Sequence, residues 1–130
     1  MPSLATCLWV ALGGALGSVV RMLAAWGIDS VAGGAFPWGT IAVNVSGSFL
    51  IGALAGGLAP FGRVQVSDDV RLFLIAGLCG GYTTFSAFSL QTVTLLRTGE
   101  SGAALANVGL SMGICLAATW LGLAAGRVIG

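Results

Sequence analysis

The sequence predicts an all-α membrane protein of four transmembrane helices, the third of them broken near mid-membrane. Of its 130 residues, 57% are hydrophobic and only 7% are charged, whereas a soluble domain typically carries about 25% charge. Apolar stretches at 4–26, 38–58, 70–96 and 103–129 each reach the roughly 20 residues that cross the hydrocarbon core. Within the third stretch, the glycine pair Gly80-Gly81 is followed by the hydroxyl-rich run Thr83-Thr84-Phe85-Ser86. Hydrocarbon offers a freed backbone group no water, so a break there has to line a protein cavity or an ion path.

The first stretch lacks a basic region before Leu4 and is of full spanning length, so a transmembrane helix is expected rather than a cleavable signal peptide. The turn formers Gly33, Gly34 and Pro37 separate it from the second, on which Thr40, Asn44 and Ser48 share one stripe at i, i+4 spacing. Asn44-Val45-Ser46 matches a glycosylation sequon but lies mid-membrane, where no glycosylating enzyme reaches. The segment from Pro60 to Asp69 leads into the third span, whose Phe85 and Phe88 fall on one helix face. After Arg97 to Gly102, the fourth span carries a second stripe, Asn107, Ser111, Cys115 and Thr119. Trp9, Trp26, Trp38 and Trp120 lie toward span ends, where indole rings favour the interface. Cys7, Cys79 and Cys115 are scattered in apolar runs and read as small buried thiols, not as a disulfide framework or metal site.

Four spans put Arg63, Arg71 and Arg127 on one side of the membrane and Arg21 and Arg97 toward the other. Such a weak bias allows either cytoplasmic termini or dual topology, with copies inserted both ways and paired antiparallel. Gly13/Gly17, Gly52/Gly56, Gly77/Gly81, Gly109/Gly113 and Gly122/Gly126 have the small-xxx-small spacing that lets helix backbones approach. Four helices leave little interior for a pore, so a homodimer is expected.

The acidic residues Asp29, Asp68, Asp69 and Glu100 are expected in loops, leaving no carboxylate or histidine in a span to take up a proton. A phosphate-binding glycine loop with lysine, a metal-ligand cluster and a nucleophile–base pair are all absent from the sequence, and so is a basic patch for nucleic acid. An enzyme, a pump and a proton antiporter are therefore disfavoured, and passive conduction remains. Neutral hydroxyls and amides offer hydrogen-bond donors to an anion without a fixed charge to trap it. The electropositive edges of Phe85 and Phe88 can coordinate a small anion, and Arg21 can attract one to an entrance. Against this stand plain packing by the phenylalanines, a snorkelling helix-end role for Arg21, and helix–helix glue for the polar stripes. A four-span multidrug antiporter would need a glutamate in the first span, which has none. A membrane scaffold held by its small-residue faces would conduct nothing.

The chain resembles the CrcB/Fluc family of fluoride channels along nearly its whole length. The matching segments are Gly13-Gly14-Ala15-Leu16-Gly17 with Arg21, then Gly39-Thr40-Ile41-Ala42-Val43-Asn44-Val45-Ser46-Gly47-Ser48-Phe49, then the glycine-pair segment with Thr83-Thr84-Phe85-Ser86. The resemblance implies an antiparallel, dual-topology homodimer in the inner cell membrane, with two pores that pass fluoride passively outward. It implies that Phe85, Phe88, Asn44, Ser86 and Ser111 line the pore, with Arg21 matching the family's first-span arginine. It also implies a structural sodium ion held at the helix break by the backbone carbonyls of Gly80 and Thr83. Two positions depart from the family's pattern: Ala87 stands where Thr or Ser is usual, and Gln91 where Glu is common.

Overall fold

The computed structural model describes all residues from Met1 to Gly130. Helix α1 spans Leu4–Ala32, opened by the Ser3 side chain, which accepts from the Thr6 N–H. It ends where Gly33 and Gly34 take φ of 67° and 80°, a left-handed backbone that glycine adopts without steric cost. The chain then reverses into α2, Trp38–Gly57. Asp29 ties the two together, its Oδ1 accepting the Gly39 N–H at 2.7 Å. The third span, Asp68–Arg97, comes in four pieces: α3 (Asp68–Leu72), a π-helical stretch (Phe73–Cys79), the single turn α4 (Gly80–Tyr82) and α5 (Phe85–Arg97). The last helix, α6, spans Ser101–Ile129. Four helices are thus long and apolar enough to cross a membrane. Several run past the apolar stretches because their ends continue into the interfacial turns.

Two glycine seams hold the bundle. In the first, α1 lies on the α3–α4 half of the third span: a Cβ on Gly13 would come within 2.6 Å of the Phe73 carbonyl. In the second, α2 lies along α6: a Cβ on Gly52 or Gly56 would collide with the backbone at Thr119 or Leu123, and one on Gly122 or Gly126 with that at Phe49 or Ala53. Lipid tails are as apolar as leucine, so this backbone-to-backbone packing, not burial from water, drives the association. Four of the five small-residue pairs are spent inside the chain. Gly109 and Gly113 meet nothing and face outward.

The break falls at Thr83 and Thr84, within the segment expected to interrupt the third span, and the glycine pair just before it is helical. Gly81 instead provides a flat surface for α1, since its Cβ would sit 2.5 Å from the Gly14 carbonyl. The acidic residues also sit nearer to regular structure than expected. Asp29 lies in the last turns of α1, Asp68 and Asp69 form the first turn of α3, and Glu100 stands at the N-cap of α6. All four remain at helix ends, where a carboxylate beside an N-terminus is favoured by the helix dipole or, like Asp29, caps the neighbouring helix.

Candidate functional site

Thr83 (ψ 157°) and Thr84 (φ −151°, ψ 115°) are extended, which frees peptide groups in the middle of the membrane. The second-span amide expected in the pore satisfies those of Thr84. Asn44 Nδ2 donates to the Thr84 carbonyl at 2.9 Å, and its Oδ1 accepts the Thr84 N–H at 2.8 Å. In an unbroken helix that N–H would bond to the Gly80 carbonyl, which therefore loses its ordinary donor. Thr84 also opens α5, its Oγ1 accepting the Ala87 N–H at 3.2 Å. Phe85 and Phe88 follow on the first turn of α5, their ring centroids 5.3 Å apart and tilted by 50°. Phe88 is buried, whereas Phe85 is 69% exposed on the protomer.

The two rings border an open cleft of about 280 Å³, with Asn44, Ser48, Thr83, Thr84, Ser111, Cys115 and Thr119 around it. None of its lining residues carries a charge. Behind it a hydrogen-bond chain joins α6 to α5. Ser111 Oγ donates to Asn107 Oδ1 at 3.4 Å, Asn107 Nδ2 donates to Thr92 Oγ1 at 2.9 Å, and Thr92 Oγ1 donates to the Phe88 carbonyl at 2.8 Å. Asn107, 1% exposed, thereby fixes both Ser111 and the turn bearing Phe88.

A second cleft, of about 470 Å³, opens on the other side of the break and is lined by Arg21, Thr40, Ser86, Ala87 and Leu90 among others. Thr84 belongs to the walls of both. Beside it, Gln91 Nε2 donates to Thr40 Oγ1 at 2.8 Å, while Gln91 Oε1 is buried without a partner. The structure thus brings Asn44, Phe85, Phe88 and Ser111 together, and places Arg21 and Ser86 across the break from them. The second-span stripe is divided the same way: Asn44 and Ser48 face the first cleft, Thr40 the second. Thr83 borders the first cleft, and Gly80 is exposed on the protomer surface.

Several other in-span hydroxyls are glue of the simplest kind. Ser46 and Ser89 donate to the carbonyls of Ala42 and Phe85 four residues back, at 2.8 and 2.9 Å, and Thr119 of the first cleft does the same to Cys115 at 3.0 Å. The sequence marks Thr84 and Asn107 as members of the hydroxyl run and of the fourth-span stripe, but not as residues of the pore. Thr84 lay inside a segment already marked by its hydroxyls. Asn107 shared its stripe with Ser111, and a mid-span amide is itself a signal, since it rarely faces lipid.

A broken-helix bundle of four spans around a neutral polar cleft defines a small multi-pass protein of the cell membrane. Residues 8–123 match the family model described as CrcB-like protein, Camphor Resistance (CrcB), and the chain belongs to that family. It is similar to the "Fluoride-specific ion channel FluC" of Rhodospirillum rubrum, 52% identical over 117 residues that cover 90% of this chain and 91% of the relative. The protein of the same name from Methylocella silvestris is 50% identical over 115 residues, 88% of each chain. That from Geobacter sulfurreducens is 48% identical over 122 residues, 94% of this chain and 97% of the relative. These relatives are named as ion channels, not as enzymes.

Proposed function

We propose that this protein is a passive fluoride channel that exports fluoride across the cell membrane and so protects against fluoride toxicity. The observation that carries this reading is the neutral cleft beside the tilted Phe85–Phe88 pair, in a chain about 50% identical to proteins named for fluoride. Fluoride is small and tightly hydrated, so each step along its path must replace water with donors. The hydroxyl of Thr84, that of Ser111 once it releases its long 3.4 Å bond to Asn107 Oδ1, the second N–H of the Asn44 amide and the positive ring edges of Phe85 and Phe88 are such donors. None holds a compensating charge, so the ion can leave as readily as it enters. Arg21 raises the local anion concentration in the second cleft, and Ser86 offers a hydroxyl there.

The working unit is an antiparallel, dual-topology homodimer with two pores. A protomer alone leaves Phe85, Ser86 and Gly80 exposed at mid-span, which a second copy would cover. The near-equal arginine distribution suits insertion both ways. The Gly80 carbonyl, stripped of its helix donor by Asn44 and exposed on the protomer, and the neighbouring carbonyl of Thr83 suit a hard monovalent cation. A structural sodium ion bound there would neutralise these carbonyls and hold two protomers in register. Export needs no energy source, because fluoride can enter as neutral hydrofluoric acid and be trapped as the anion. The interior-negative potential then drives it outward with about 2.3 kcal/mol per charge per 100 mV.

The test is efflux from liposomes containing the purified protein, with a potassium ionophore present and chloride as the parallel control. Fast fluoride release without chloride release is expected. Release of neither ion from dimeric protein would overturn the channel reading.

A further inference from the structure

The hairpin between α1 and α2 sets a carboxylate beside the second cleft. Arg21, Ala25 and Asp29 follow one another at i, i+4 spacing on α1, and the first two line that cleft. Asp29 continues the stripe one turn further, at the exposed end of the helix. Its position is fixed by Gly39, the second residue of α2, whose N–H its Oδ1 accepts at 2.7 Å. A Cβ on Gly39 would lie 2.5 Å from the Ala25 carbonyl and 2.7 Å from Asp29 Oδ2, so both residues press on the same piece of backbone. Gly39 directly precedes Thr40, another lining residue of the cleft. The acid therefore stands next to Ala25 and Thr40, at the mouth that Arg21 serves.

A negative charge beside an anion path is explained by the start of α2. The first N–H groups of a helix have no carbonyl partner within it, and the helix dipole adds roughly half a positive charge there. Pro37, the N-cap of α2, makes no side-chain hydrogen bond to them. Asp29, reaching over from α1, is the group that occupies this positive end. Left open beside the cleft, such an end would gather anions. We infer that Asp29 moderates anion entry into the second cleft: it fills the start of α2 and offsets the field of Arg21, so that the mouth does not hold the ion it admits. This deepens, and rests on, the anion-conducting reading proposed above. Asp29 lies about 12 Å along α1 from Arg21 and is exposed. It therefore acts on the ion through its field, which salt screens, and not as a ligand.

The test is the initial rate of fluoride efflux from liposomes, measured against fluoride concentration up to about 10 mM and repeated with about 1 M impermeant salt. The Debye length falls between the two conditions from about 30 Å to about 3 Å. Asp29→Asn keeps an acceptor for the Gly39 N–H and removes the charge. Its slope of rate against fluoride is expected about twofold above wild type at low ionic strength, and equal to wild type in high salt. Asp29→Glu restores the charge and should return the slope to the wild-type value. Ser30→Lys, on the exposed neighbour, leaves the Asp29 bond in place and offsets its charge, so it should raise the slope in the same way. An unchanged slope in either Asp29→Asn or Ser30→Lys at low ionic strength reduces Asp29 to a hairpin clasp and overturns the inference. A rise that persists in high salt overturns it equally. Wild-type vesicles that release no fluoride would instead overturn the channel reading itself.

Discussion

The carboxamide of Asn44 makes with Thr84 both of the hydrogen bonds that the Thr84 peptide cannot make within its own helix. Donation at 2.9 Å and acceptance at 2.8 Å copy the pairing of two β-strands, delivered by a side chain. A mid-membrane break is stable here because one residue on a neighbouring helix closes it.

Asn44→Asp keeps the acceptor for the Thr84 N–H but sets a carboxylate oxygen against the Thr84 carbonyl. An unsatisfied buried carbonyl costs about 1–3 kcal/mol, so a lower unfolding midpoint is expected together with at least a tenfold loss of fluoride efflux. Asn44→Ala should lose both hydrogen bonds and fall at least as far. Thermal unfolding of either variant at the wild-type midpoint would show that the pairing does not support the break.

The two phenylalanines should separate in their effects. Phe85→Ile removes a ring that is 69% exposed on the protomer, so protomer stability should hold while fluoride efflux is lost. Phe88→Ile alters a buried ring on the turn held by Thr92 and Asn107, and should lower both stability and efflux. Parallel melting and efflux assays decide the matter. Full efflux in Phe85→Ile with an intact dimer would return both rings to a packing role.

Gly52→Ala and Gly122→Ala each drive a methyl group into the facing backbone of the α2–α6 seam. Loss of monodisperse protein on size-exclusion chromatography is expected for both. Gly109→Ala meets open space and relieves a flexible helix position, so stability should be unchanged or raised, by up to about 1 kcal/mol. Equal damage at Gly109 would mean that the outward face is packed against something in the assembled protein.

Gln91→Glu exchanges a neutral amide, bonded to Thr40, for an acid at a place where one oxygen is already buried without a partner. A carboxylate there sets a negative charge beside Thr40 of the second cleft, where it opposes an anion. Efflux in this variant should therefore differ from wild type and depend on pH, high-pH samples carrying the extra negative charge and passing less fluoride. Wild type, with no titratable group on that side chain, should lack this dependence. Efflux identical to wild type across pH would confine Gln91 to packing.

The four spans were legible because hydropathy needs only local composition, and each apolar run is long enough to allow one interpretation. The candidate cleft was legible in part, since i, i+4 spacing correctly aligned Asn44 with Ser48 and Ser111 with Cys115. What spacing could not give is the partner across a helix interface. Gly80-Gly81 looks locally like a break, and only the approach of α1 to Gly81 explains why it stays helical. Thr83-Thr84 shares the marked segment, but only Asn44, some forty residues earlier, makes its extension tolerable. The stripe from Thr40 to Ser48 was likewise read as one track, whereas Thr84, from another helix, divides it into two clefts.

The glycine seams have a consequence for how this molecule can change over time. Because α1, α2, α4 and α6 meet backbone to backbone, the protomer's shape depends on a few missing side chains and hardly on the bulky ones. The leucines, valines and tryptophans that cover its exterior are consequently free to vary. A surface for self-association, or for a particular lipid, can be drawn and redrawn on that exterior while the scaffold beneath keeps its form.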